Sequence, residues 1–176
     1  DLRRRDSRWQ LETGIITMYH DEGTDHTGKD AAIRLEGAAV WNFTVMFLNS
    51  WNAFRPQETD YAPFAPTKLP ETSDGIVQPY SDSPLDEEPL AETVYLNILN
   101  QAQQYIYIYT PYLAVGEEML DALKNAAKRG VDVRLVLPGI PDKKLVFRLS
   151  RSYYVPLLRA GVRIYEFAPG FLHSKC

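Results

Sequence analysis

His173 and Lys175 stand two residues apart, led in by the apolar pair Phe171-Leu172. On a strand this spacing points both side chains to one face and sends Ser174 to the other. Imidazole beside ammonium suits a reacting phosphate. One group gives or takes a proton and the other holds the phosphoryl oxygens. A lone His-x-Lys is a weak signal, because such pairs also serve structure. Its position adds weight: it follows the turn Ala168-Pro169-Gly170 at the end of a run of alternating strands and helices. Folds of that type place their sites at strand ends.

Other residues carry competing readings. Tyr112, after Pro111, sits just beyond a strand, where an aromatic either meets substrate or packs. Ser81 and Ser83 either donate to a phosphate or cap the helix expected after Pro84, and the cap is preferred. His20-Asp21 and Asp25-His26 crowd possible metal ligands together, yet the Gly23-Thr24 turn between them favours a solvated loop. Arg148, Arg151 and Arg159 with Tyr153 and Tyr154 face lipid headgroups or simply flank an amphipathic helix. Arg3-Arg4-Arg5 with Arg8 reads as a solvated helix face.

Bulk properties narrow the classes. An apolar fraction of 45% and a charged fraction of 24% are those of a globular protein, so disorder is excluded for most of the chain. The net charge of −4 advertises neither nucleic acid nor an anionic surface. One cysteine, Cys176, excludes an intrachain disulfide and fits a reducing compartment. The opening residues lack a signal peptide's apolar run. No stretch reaches the roughly 18–20 apolar residues of a membrane span. The segment is expected to be soluble.

The elements around these residues follow from periodicity. Val40, Phe43, Thr44, Phe47, Leu48 and Trp51 share one helical face after Glu36-Gly37, and Pro56 follows. Trp41, Val45 and Met46 on the other faces predict a helix buried nearly all round. Residues 55–74 carry four prolines and read as a linker, followed by a short strand over 75–80. Pro89 suits a first helical turn, with Leu90, Val94, Ile98 and Ala102 on the core face. The Tyr/Ile alternation from Tyr105 to Tyr109 predicts a central strand. Leu120, Leu123 and Ala127 line the next helix.

Two segments, 127–133 and 158–164, then echo each other. Each has a basic residue, a left-handed glycine cap (Gly130, Gly161) and a β-branched strand. A helix over 143–158 is expected to kink or divide at Pro156. The fold class is α/β: a layered, mostly parallel sheet flanked by helices.

Several segments together carry a resemblance. They are Asp30-Ala31-Ala32-Ile33-Arg34-Leu35-Glu36-Gly37-Ala38-Ala39-Val40, Phe47-Leu48 with Trp51-Asn52, Tyr109-Thr110-Pro111-Tyr112-Leu113, Gly130-Val131-Asp132-Val133-Arg134 and Gly170-Phe171-Leu172-His173-Ser174-Lys175. In order and spacing the chain from Asp30 to Cys176 resembles bacterial cardiolipin synthases of the phospholipase D superfamily. His173-x-Lys175 then opens the second of that family's two H-x-K-x-x-x-x-D signatures. The resemblance implies a piece of a longer enzyme: residues 1–55 end a first phospholipase D-like half, 56–74 link, and 75–176 form most of the second.

It also implies a reaction. An upstream histidine attacks phosphorus and forms a phosphohistidine. His173 protonates the departing glycerol and later deprotonates the incoming hydroxyl, Lys175 neutralises phosphate charge, and Tyr112 and Ser81 contact substrate. A phosphatidyl group passes between two phosphatidylglycerols, giving cardiolipin and glycerol, with neither metal nor cofactor. The implied partners are phosphatidylglycerol, an anionic phospholipid membrane and the first half of the same chain, with no nucleic acid. The implied place is the bacterial cell membrane, the catalytic part being soluble and membrane-associated. Rival readings are another phospholipase D-type phosphodiesterase, either a phospholipase or a nuclease, and a non-catalytic binding domain. With its strand cut short at Cys176, the His173 segment is expected to be displaced or to self-associate.

Overall fold

Two packing units make up the computed structural model, which describes residues 2–5, 8–11, 29–31, 35, 37–54, 60–66, 75–83 and 87–176. The first unit comprises Asp1–Ile15 and Ala32–Asp86, the second Ile16–Ala31 and Glu87–Cys176. The expected linker 56–74 falls inside the first. Packing units and the halves of a repeated fold are different divisions, and the linker expectation concerns the second kind. His20, Asp21, Asp25 and His26 lie outside the described residues.

In the first unit the arginine block is extended rather than helical. Strand β1 (Leu2–Arg5) pairs antiparallel with β2 (Arg8–Leu11), Arg5 opposite Arg8. The turn-forming pair Asp6-Ser7 separates the two in sequence. Helix α1 (Ala39–Phe54) buries Val40, Thr44 and Leu48 at four-residue spacing. Burial is not complete all round: Trp41, Val45 and Met46 are half-buried, while Phe47, Trp51 and Phe54 are exposed, the first two with stacked rings. Burial all round needs packed elements on several sides. Within this unit β2 packs against α1 and accounts for one face. Residues 75–80 form no strand, and Ile76 is 97% exposed. A strand needs a partner ladder to satisfy its backbone, and these residues have none in the sheets formed.

The second unit follows the α/β expectation. Helix α2 (Leu90–Gln101) leads to β3 (Tyr105–Tyr109), and α3 (Glu117–Lys128) leads to β4 (Asp132–Pro138). Two helices, α4 (Lys144–Ser152) and α5 (Tyr154–Arg159), precede β5 (Arg163–Phe167). The strands run parallel in the order β3-β4-β5, so β4 is central and β3 is not. Val133, Leu135 and Leu137 of β4 are fully buried on one face, against Leu123 of α3 and Leu157 of α5. Tyr105, Tyr107 and Tyr109 form an exposed face instead of a second apolar one. Tyrosine suits that position, since its ring covers the sheet while its hydroxyl stays wet. Tyr107 shows this by donating to Asp132 at 3.0 Å.

Helix ends follow local chemistry. Both glycine caps adopt positive φ, +93° at Gly130 and +100° at Gly161. At each, two bonds close the helix: Gly130 N to Ala127 O and Val131 N to Ala126 O, then Gly161 N to Leu158 O and Val162 N to Leu157 O. These are Schellman caps, with Val131 and Val162 buried beyond the glycine. Helix α2 turns a different face inward: Leu99 is buried and Ile98 is 62% exposed. Pro89 precedes its first turn as the N-cap, so neither Ser81 nor Ser83 caps it. The expected division near Pro156 occurs one turn earlier, at Tyr153. Proline lacks the N–H that would bond Ser152, so the helix breaks there and Pro156 falls in the first turn of α5.

Candidate active site

Residues 171–176 are laid beside the sheet by their backbone. Lys29 bridges Leu172 in parallel, its N–H donating to Phe171 O at 2.7 Å. Lys29 O accepts from His173 N at 2.8 Å, Ser174 N at 3.0 Å and Ser174 Oγ at 3.1 Å. At the far end Cys176 N donates to Tyr109 O at 3.1 Å and Tyr109 N to Cys176 O at 2.7 Å. The terminal segment is thus tied on both sides, and the expected displacement does not occur. Leu172 and Ser174 are buried while His173 and Lys175 reach the open face, the alternation their spacing predicts.

On that face three ionisable groups meet. His173 Nδ1 lies 3.0 Å from Asp30 Oδ2, and Lys175 Nζ lies 3.0 Å from His173 Nε2. The ammonium also donates to His173 O at 2.7 Å. Lysine can only donate, so Nε2 accepts and the ring proton sits on Nδ1, facing the carboxylate. The His173 hydrogen bond, together with the Ala31 N–H at 2.9 Å from Oδ1, holds the Asp30 carboxyl below its ordinary value of 3.8. An ionised, oriented carboxylate behind an imidazole fixes its tautomer and ring orientation. The arrangement provides a proton donor or acceptor at Nε2 with a cation beside it.

No local pattern in the sequence marks Asp30 as a site residue. It stood inside the resembling segment, but 143 positions separate it from His173 and no local spacing links the two. Tyr112 reaches the same neighbourhood. With Thr110, Tyr109 and Lys175 it lines a pocket of about 180 Å³ whose remaining walls are largely apolar. Its hydroxyl donates to Asp142, and the Lys143 ammonium lies 5.9 Å from its ring centre. Ser81 lies in the first unit, exposed to solvent. Among the described residues no group of three or more His, Cys, Asp or Glu gathers as for a metal ion.

Comparison with known proteins shows what this chain is similar to. The model described as cardiolipin synthase, PLD-like domain, matches residues 95–176, which include Tyr112, His173 and Lys175. Residues 95–176 match that family, and over 84% of its length the chain is similar to cardiolipin synthases. An uncharacterized protein of Streptococcus mutans is 52% identical over 84% of this chain and 32% of its own length. Cardiolipin synthases of Halalkalibacterium halodurans (38% identical) and Geobacillus kaustophilus (39%) each match 84% of this chain, and 29% and 30% of their own lengths. The chain therefore spans under a third of these curated relatives. Among solved structures, the phospholipase D family member Nuc of Salmonella typhimurium overlaps 43% of this chain and 47% of its own. The two share 22% identity, with a TM-score of 0.36. No described helix of this chain is long and apolar enough to cross a membrane.

Proposed function

We propose that this chain is part of a phosphatidyltransferase that joins two phosphatidylglycerols into cardiolipin and releases glycerol. The observation that carries the reading is His173, held between the Asp30 carboxylate and the Lys175 ammonium within the matched family. A histidine from another part of the intact protein attacks phosphorus. His173, protonated at Nε2 with Asp30 balancing its charge, gives that proton to the departing glycerol oxygen. The second phosphatidylglycerol then enters, His173 takes its hydroxyl proton, and that oxygen bonds to phosphorus while the phosphorus–nitrogen bond to the first histidine breaks. One phosphodiester is exchanged for another, so no nucleotide is consumed. The ammonium now on Nε2 moves to the phosphoryl oxygens when substrate binds, freeing the ring for the proton. Tyr112 lines the approach. The intact enzyme works at an anionic membrane together with its first half.

The experiment uses the intact protein with phosphatidylglycerol in mixed micelles, following cardiolipin by mass. His173→Ala is expected to lose at least about 10²-fold in turnover. Lys175→Ala should lose a comparable factor, while Asp30→Asn should lose less. Unchanged turnover in His173→Ala would remove His173 from the reaction. Cleavage of DNA with no action on phosphatidylglycerol would replace the transferase reading with a nuclease.

A further inference from the structure

We infer that the outward face of α4 lies on an anionic lipid surface. From Lys143 to Arg159 the chain carries five cations and no acid, within a protein of net charge −4. Lys144, Arg148 and Arg151 recur along α4 at spacings of four and three, forming one row. Leu145 and Leu149 form the adjacent row and are 81% and 47% exposed. The opposite face carries the buried Ser150. Beyond the break at Tyr153, Val155 and Leu158 are exposed as well.

Leucines at the tip of a surface helix, edged by long cationic side chains, have the geometry of a helix lying in a bilayer interface. The leucines enter the acyl boundary, and the cationic stems cover apolar surface while their charges meet headgroups. Lys144, Phe147, Arg148 and Arg151 frame a shallow hollow of about 380 Å³ that has room for a phosphate headgroup. Arg151 is partly committed, 3.3 Å from Glu166 and over the Phe147 ring, which leaves Lys144 and Arg148 as the main cations of the row. A nucleic acid or other soluble polyanion would use those cations but gains nothing from Leu145 and Leu149, so the exposed leucines favour lipid. The helix is also joined to the loop after β3. Leu113 N donates to Ser150 Oγ at 3.0 Å, and Asp142, just before α4, accepts from the Tyr112 hydroxyl. Lipid held under α4 is therefore delivered next to the loop that carries Tyr112. None of these surface residues belongs to the His173 cluster, so this assignment stands or falls apart from the reaction proposed above.

The test is flotation of the 176-residue chain with phosphatidylcholine vesicles, with and without phosphatidylserine, an anionic lipid that is not the proposed donor. Binding is expected only to the anionic vesicles. Lys144→Gln with Arg148→Gln should weaken it about thirtyfold, near fivefold per cation. Leu145→Ser with Leu149→Ser should weaken it roughly tenfold, and Lys128→Gln, which removes an exposed cation on α3, should bind as the parent does. Circular dichroism checks each fold, with the single Leu145→Ser variant replacing any pair that unfolds. Absence of binding, or equal binding to neutral vesicles, would overturn the assignment. So would a loss caused by the cation pair but not by the leucine change, since that marks a bare polyanion contact.

Discussion

At the scale of residues, His173 is set by what its two nitrogens touch. The carboxylate at Nδ1 and the ammonium at Nε2 make one tautomer the ground state, with the proton on Nδ1. Nitrogen-15 shifts of the neutral imidazole are expected to report that tautomer in the parent. A mixture is expected in Asp30→Ala, where the acceptor is gone. A mixture in the parent would mean that Asp30 does not orient the ring. Asp30 also carries a pH signature. Its folded carboxyl titrates below the ordinary value of 3.8, so its stabilising contribution is complete above that value. The contribution disappears as pH falls through the lowered folded value. Stability curves of the parent and Asp30→Ala should therefore differ near neutrality and converge in strong acid. The His173-Lys175 pair was legible because its chemistry and its period of two both lie within three residues. Asp30 was not, because a contact across 143 positions exists only after the chain folds.

At the scale of elements, the two Schellman caps give the sharpest stability test. A Cβ built on Gly130 meets nothing within 4 Å, and one on Gly161 first meets Ala127 Cβ at 4.0 Å. Replacement by alanine therefore costs backbone strain alone, about 1–2 kcal/mol at each site. Denaturant melts should show that loss, with asparagine milder than alanine. Gly139 fails for another reason: its Cβ would lie 2.8 Å from Phe167 O, so Gly139→Ala must push β5 away. Ser150→Ala removes the acceptor of the buried Leu113 N–H, at a cost of about 1–3 kcal/mol, and should loosen the loop bearing Tyr112. The caps, the parallel sheet and the core leucines of α3 were readable because each rests on local pattern. What sequence misplaced depends on neighbours. Tyr105–Tyr109 looks central until β4 is seen between β3 and β5, and residues 75–80 look like a strand until no partner strand forms. The inward face of α2 likewise turns on whether Leu99 or Ile98 meets the core, which periodicity alone leaves within one residue.

At the scale of the whole molecule, the proposed chemistry asks for more than the described residues supply. Exchange through a covalent intermediate needs a nucleophile on one side of phosphorus and an acid–base group on the other. Among the described residues one imidazole is present, that of His173, and the proposed mechanism uses it for the proton. The chain spans under a third of the cardiolipin synthases it resembles, so the proposal assigns the nucleophile to the remainder of the protein. It follows that the 176-residue chain alone should release no glycerol from phosphatidylglycerol, although its His173 segment is already tied to Lys29 and Tyr109. The intact protein should release one glycerol for each cardiolipin formed. The measurement is release of labelled glycerol by equal molar amounts of the two. One imidazole cannot hold phosphorus and protonate the leaving oxygen in the same step, so His173 needs a separate nucleophile. Turnover by the isolated chain at a rate near that of the intact protein would place that nucleophile within the 176 residues and overturn its assignment to the remainder.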